Sequence, residues 1–474
     1  MWKQIQVQRV SAMHLLTILA ALIVVAASCS SSSGEADDDD SGADSTEASA
    51  SEDVDQDEAA GEDSSGDGDD SDAELTASFR GVTETEMHIG ITMIDFDELK
   101  DFNLANEGWG DQQAVYQVFI DDLNDRGGIH GRTVIPHFEY YSVLTAAAAE
   151  EKCTALTQDV ETFVVLGGFN GPAEVANNCI VSNNETIMIG GQQTRERLDA
   201  AKAPWVGEAI LRDDRLPIFL QLLADNGFAD DVELAVVGSV EQKEIFDASG
   251  DILAEFGIDP VLSIQNDVPQ GDLTATDTRW QVLAENVRAS GANTVLVIGS
   301  GQGALRGIKN NGLDVAVWVL EDNDLQNLGS ETTPDHADGA VTISQLTYEQ
   351  QFEDPLVQSQ CYEPVVAAIP EVDVRHPELF ESGEERWFQS IFPYCRRMMV
   401  FEMLATAAGP NPTQESFQDA MDNLGDFSLP GMPFASLEAA KPYTQDTAQL
   451  TRFDVSSGEN GGLVPITEPA DTTP

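Results

Sequence analysis

The chain has 474 residues, 42% of them hydrophobic, with 23 Lys+Arg against 84 Asp+Glu and a formal net charge of −61. This length suggests about three domain-sized units, and the apolar content suffices for a large core. The charge excludes a nucleic-acid binder, which needs a basic face for phosphates, and adhesion to anionic lipid through a polybasic patch.

Residues 1–14 carry Lys3 and Arg9 and no acid, and Leu15 to Ala27 is almost purely apolar. Such a run is too short to span a bilayer as a helix and has the length of a signal-peptide core. It ends in Val25-Ala26-Ala27-Ser28-Cys29, which resembles a bacterial lipobox, so 1–28 read as a signal peptide and Cys29 as the lipidation site. Residues 29–85 follow as an acidic linker, with 19 acids and no base between Glu35 and Glu74. With few large apolar residues and self-repelling charge, this linker reads as a disordered tether that spans roughly 40 Å. Outside that stretch, and with Lys3 and Arg9 set aside, 65 acids face 21 bases, a surface suited to solubility or to a high-salt habitat. Beyond Cys29 the cysteines are Cys153, Cys179, Cys361 and Cys395, an even number in an exported chain. Pairing by proximity gives Cys153–Cys179 and Cys361–Cys395 out of three connectivities, with four free thiols as the other reading.

From Met87 onward short apolar runs alternate with amphipathic stretches. Met87–Ile94, Thr162–Leu166, Thr186–Ile189, Glu233–Val237, Thr294–Ile298 and Val315–Leu320 predict strands covered on both faces. Helical spacing appears in Val115/Val118/Phe119/Leu123, Leu216/Phe219/Leu220/Leu223, Ile245/Ala248/Ile252/Leu253/Phe256 and Val400/Met403/Leu404/Ala407. Gly127, Gly227, Gly257, Gly291 and Gly312 supply left-handed caps. Alternating βα units over this length predict two doubly wound parallel sheets, with ligands beyond the carboxyl ends of the strands.

Catalytic motifs are missing: there is no G-x-S-x-G, no G-x-x-x-x-G-K-[ST] and no H-E-x-x-H, and the six histidines lack metal-ligand spacing. No cofactor and no metal is therefore expected, and the chain reads as a non-enzyme. One motif competes. Gly299-Ser300-Gly301-Gln302-Gly303-Ala304 follows a strand and precedes a helix, and Glu321 closes the next strand. It resembles a dinucleotide fingerprint, and the alternative function is an exported oxidoreductase using a dinucleotide there. The simpler reading is a strand–turn–helix whose turn approaches some ligand.

Asp121 to Arg132 reads DDLNDRGGIHGR, a helix end, a glycine cap and a tight turn into a strand near Thr133. This resembles the extracellular solute-binding proteins of ABC importers in the leucine/isoleucine/valine-binding group. The resemblance extends to Trp109-Gly110-Asp111-Gln112, Val164–Pro172 and Met188–Thr194, and covers about Met87 to Val455. It implies a type I periplasmic-binding-protein-like fold: α/β, two doubly wound Rossmann-like lobes joined by three hinge crossings near Ala209, Val341 and Pro430. Lobe 1 would comprise 86–208 and 342–429, lobe 2 would comprise 209–341 and 430–466, and 467–474 would form a tail. The implied role is a monomeric, lipid-anchored protein outside the cytoplasm, delivering a small solute to an ABC permease.

By the same resemblance Trp109 packs on the ligand, Asn170 and Gly171 lie in the carboxylate loop where the group typically has serine, and Gln193 and Thr194 hold amino and carboxylate groups. The last two could instead cap the next helix. Gln242 or Lys243 falls where the group often has tyrosine, and Ser300 where it often has another aromatic. Glu321 or Asp322 matches the acid that pairs with an ammonium, with a helix N-cap or a solvated strand end as the alternative. Loss of the serine and both aromatics, with Gln192, Gln193 and Gln242 present, points to a polar solute such as a polar amino acid, an amide, urea or a small peptide.

Overall fold

Apolar runs buried on both sides need two layers of helix, and the chain builds that arrangement twice. The computed structural model describes residues 74–473 except 103–104, 269–272, 327, 329–330, 382 and 459. The segment read as a signal peptide, Cys29 and the expected linker through residue 73 lie outside the described residues. In the first lobe, β1 (Glu86–Ile94), β2 (Thr133–Tyr141), β3 (Val164–Gly167), β4 (Ile187–Gly190) and β5 (Trp205–Val206) form one parallel sheet in the order β2-β1-β3-β4-β5. In the second, β6 (Leu234–Ser239), β7 (Leu262–Asn266), β8 (Thr294–Ile298), β9 (Ala316–Val319) and β10 (Val341–Ser344) repeat that order as β7-β6-β8-β9-β10. Beyond β10 the second sheet continues antiparallel through β13 (Thr447–Asp454) to β14 (Gly462–Pro465), and β15 (Ala470–Asp471) also pairs with β13. A separate hairpin is made of β11 (Gly425–Leu429) and β12 (Met432–Leu437).

The pleat sends successive side chains to opposite layers. Val164 and Leu166 enter the core that also holds Met87, Ile89 and Ile91, while Val165 enters another with Met188. Likewise Leu234, Val236 and Leu296 pack on one side of the second sheet, and Ala235, Val237 and Val295 on the other. Continuous hydrophobicity in these strands is thus two alternating patterns superposed. The helices Gln112–Asp125 and Phe388–Ala407 cover the first sheet with Val115, Phe119, Val400 and Leu404. Disulfides join Cys153 to Cys179 and Cys361 to Cys395, with Cα separations of 6.3 and 5.5 Å. Among the described residues no helix is long and apolar enough to cross a membrane.

Three sequence boundaries move. The linker was expected to run to residue 85, but Val82 is buried in the first core and Phe79 meets the Phe163 ring edge-on at 6.2 Å. These two apolar side chains dock the end of a polar segment. Arg132, from the signature turn, is fully buried beneath it and donates to the carbonyls of Thr76, Thr83 and Pro410. The second crossing, expected near Val341, falls a few residues later: Val341 and Thr342 pair with Trp318 and Val319, and Val341–Ser344 with Gln449–Arg452, so the chain stays in the second sheet through Ser344. The third was placed at Pro430, yet Met432, Ala435 and Leu437 belong to the first core, so the crossing follows Leu437. Strand pairing fixes the second boundary and core packing the third.

Candidate functional site

Strand order reverses between β1 and β3 in one sheet and between β6 and β8 in the other, and open α/β sheets bind ligands beyond such points. In the first lobe the loops after β3 and β4 are Gly167-Gly168 and Gly190-Gly191, all with φ between +70° and +108°. A Cβ on Gly168 would lie 2.9 Å from the Gly191 Cα, and one on Gly190 would lie 2.7 Å from the Gly167 carbonyl oxygen. Only glycine lets the two loops nest. Asn177 then fixes the backbone: its Oδ1 accepts from the Phe169 N–H at 2.7 Å and its Nδ2 donates to the Phe169 carbonyl at 2.9 Å.

Asn170 is exposed at the tip, where its N–H and Nδ2 both donate to the Tyr141 hydroxyl at 3.1 and 3.4 Å, and the neighbouring Gly171 is exposed too. Trp109 is partly buried, its ring 4.8 Å from that of Phe96, and its carbonyl accepts from the Ser390 hydroxyl at 2.7 Å. Thr194 caps the helix Arg195–Ala200 by accepting from the Arg197 N–H, the alternative foreseen for it. Gln193 is buried, and its Nε2 donates to the carbonyls of Trp205 and Pro442 at 2.8 and 3.3 Å. Its amide therefore ties β5 to the segment that follows β12.

In the second lobe Gln242 donates to Glu321 at 3.1 Å, while its own Oε1 is buried without a hydrogen-bond partner among the described residues. Lys243 pairs with Asp247 on the surface of its helix. Ser300 stands in the left-handed region with its hydroxyl 3.4 Å from Glu241. Glu321 and Asp322 do not stand alone: Arg215 meets Asp322 at 2.5 Å and Glu321 at 3.9 Å, and Asp322 also accepts from Gln326. Asp322 is thereby closed, and Glu321 is the less engaged acid.

Asp324 accounts for the glycine-rich turn. Its Oδ2 accepts from the Gly301 N–H at 2.9 Å at the start of the following helix, where a pyrophosphate would have to bind. Burial pushes its carboxyl up to about 6, and the neighbouring charges of Glu321 and Asp322 add to the rise, against the Gly301 bond and Arg215. A phosphate there would meet three carboxyl groups and one guanidinium, so the donor set opposes a dinucleotide. A raised carboxyl binds its proton more tightly in the folded state, so this contribution to stability falls as pH rises from about 4 to about 6. Asp324→Asn keeps an acceptor for Gly301. It is expected to stabilise the protein by about 2–3 kcal/mol at pH 8 and clearly less at pH 5, measured by melting at both. An equal gain at both values would reject the assignment.

A polar chain that the sequence reading did not foresee joins the crossings to this edge. Arg397 holds Glu208, two residues past β5, through Nε at 3.0 Å and a terminal nitrogen at 2.5 Å. Its other terminal nitrogen donates to the Tyr116 hydroxyl, and burial pushes the Tyr116 phenol up to about 12, so it stays neutral. The Tyr116 ring stacks on Tyr394 at 4.0 Å. Tyr394 donates to Gln112 at 2.6 Å, and Gln112 donates to the Ile94 carbonyl at the end of β1 at 2.8 Å. The available signal was Arg396-Arg397 inside an otherwise apolar helix. Contacts also join the lobes: Arg195 reaches Asp214 at 2.5 Å and Arg212 reaches Glu174 at 3.3 Å.

No family model matches the sequence, and no curated protein matches it. Solved structures match it by shape. A type 1 periplasmic binding protein from Bordetella pertussis Tohama I is 13% identical with a TM-score of 0.57, over 80% of this chain and 100% of that one. An ABC transporter substrate-binding protein from Desulfitobacterium hafniense, in complex with Leu, is 14% identical with a TM-score of 0.57, over the same shares. A solute-binding protein from R. palustris, in complex with 4-hydroxybenzoate, is 12% identical with a TM-score of 0.56, over 82% of this chain and 98% of that one. The fold is that of the two-lobed type I periplasmic binding proteins.

Proposed function

We propose that the chain is the substrate-binding protein of an ABC importer, lipid-anchored through Cys29 outside the bacterial cell membrane, monomeric, and without enzymatic activity. It captures a small polar solute, of the amino acid, amide or urea type, between its lobes and delivers it to a permease. The observation that carries this reading is the repeated strand order: two sheets with matching switch points, in lobes joined by three chain crossings. The hinges are assigned to residues 207–211, 345–347 and 438–446, between the last strand of one lobe and the first element of the other. A ligand that touches both lobes shifts the open–closed equilibrium by its differential contact.

On the first lobe Trp109 supplies a flat apolar wall, and the backbone N–H groups of Gly171 and of the Gln193–Thr194 loop supply donors for a carboxylate or carbonyl, with the Asn170 N–H held by Tyr141. On the second, Gln242 and Ser300 line the edge, and Glu321 is the partner of an ammonium. Asp322 acts through Arg215 instead. A melting screen of amino acids, amides, urea and dinucleotides tests the reading. A ligand at about 100 times its Kd adds about 2.7 kcal/mol. The expected result is a rise with one of the first three groups, lost at least tenfold in affinity in Glu321→Gln when the ligand carries an ammonium. A rise with dinucleotides alone would overturn it.

A further inference from the structure

The three crossings meet around a cavity of about 180 Å³, to which each contributes a residue: Glu208 from the first, Gln345 from the second and Thr444 from the third. Val400, Leu429 and Met432 make its apolar wall. Arg396 lines it as well, and its guanidinium makes a single hydrogen bond among the described residues, to Gln351 Oε1 at 2.8 Å. A guanidinium has five donors. Gln351 is itself fixed, buried with its Nε2 donating to the Leu346 carbonyl at 2.7 Å.

Charge is unbalanced here. Glu208 gives both carboxylate oxygens to Arg397, so two arginines share one carboxylate. Desolvation lowers the Arg396 guanidinium from its ordinary value, and Glu208 offsets this only in part. An anion seated in the cavity would neutralise the excess cation and fill donors that the fold leaves idle. A space of 180 Å³ holds about six water-sized groups.

We infer that this hinge cavity is a second binding site, for a short-chain aliphatic carboxylate whose carboxylate lies on Arg396 and whose chain lies on Val400, Leu429 and Met432. Because Glu208, Gln345 and Thr444, one from each crossing, line the same cavity, its occupant is placed to bias the relative position of the lobes. The site does not depend on which solute the cleft takes.

Calorimetric titration of the full chain with butanoate and with neutral butanamide, in a buffer free of carboxylates, tests the site. Butanoate is expected to bind the parent at least tenfold more tightly than butanamide does. Arg396→Gln is expected to weaken butanoate at least tenfold, and Val400→Phe, which fills the cavity and leaves the charge, to do the same. Glu321→Gln, which disables the proposed cleft contact, is expected to leave butanoate binding unchanged, so failure here and failure of the cleft reading are separate results. Equal binding of butanoate and butanamide, undiminished binding in both cavity variants, or no binding of butanoate to the parent would overturn the proposal.

Discussion

Replacing Lys441 by Met is expected to destabilise the protein by about 3–5 kcal/mol, because it strands a buried carboxylate. The side chains of Lys441 and Asp446 are 5% and 2% exposed, and they meet at 2.8 Å within the third crossing. The ammonium also donates to the Ser436 carbonyl at 2.9 Å and the Tyr443 carbonyl at 2.6 Å. Met has nearly the same shape and no donor, so two carbonyls and one carboxylate oxygen lose their donor at once, and among the described residues the Asp446 carboxylate keeps only the Ser436 hydroxyl. The unfolding entropy of some 400 ordered residues converts that loss to about 5 °C in Tm. Since the cost lies mostly in the orphaned charge, Lys441→Met/Asp446→Leu should regain at least half of it. A single variant within about 1 kcal/mol of the parent, or a double variant no better than the single, would show that the pair does not hold the crossing.

Lys441 also shows where sequence reading stops. A lysine beside a proline in a polar stretch looks solvated, and only the chain returning through Asp446 and Ser436 encloses it. The strands at both switch points were legible because their layers on each side demand unbroken hydrophobicity. Edge strand β7 was not, since Leu262–Asn266 is half exposed and mixed in character. Both disulfides were legible, because sequence proximity selected the pairs the fold brings together. For the site, loop positions could be read from Gly167-Gly168 and Gly190-Gly191, but side-chain roles could not. Gln193 turns inward to the crossings and Asp322 is taken by Arg215, a residue from a distant helix. Motif alignment places a residue at an edge. It does not say which neighbour has already claimed its charge.

That lesson applies most sharply to Glu208, whose neutralisation should be the second large effect. Glu208→Gln leaves Arg396 and Arg397 together with no carboxylate between them, and a buried charge without its partner typically costs about 3–5 kcal/mol. The Glu208 side chain is 27% exposed, which places the expected loss at the lower end, about 3 kcal/mol. Tyr116 cannot substitute, because its phenol is held neutral by burial. The same change unties the first crossing from the helix Phe388–Ala407, so the distribution of lobe positions in solution scattering should broaden. Glu208→Gln/Arg397→Met removes one charge of each sign and should recover most of the stability without restoring the tie. Because the excess positive charge beside the hinge cavity doubles in Glu208→Gln, butanoate should raise its melting temperature more than that of the parent. An equal or smaller rise would mean that the carboxylate does not sense the Arg396–Arg397 pair.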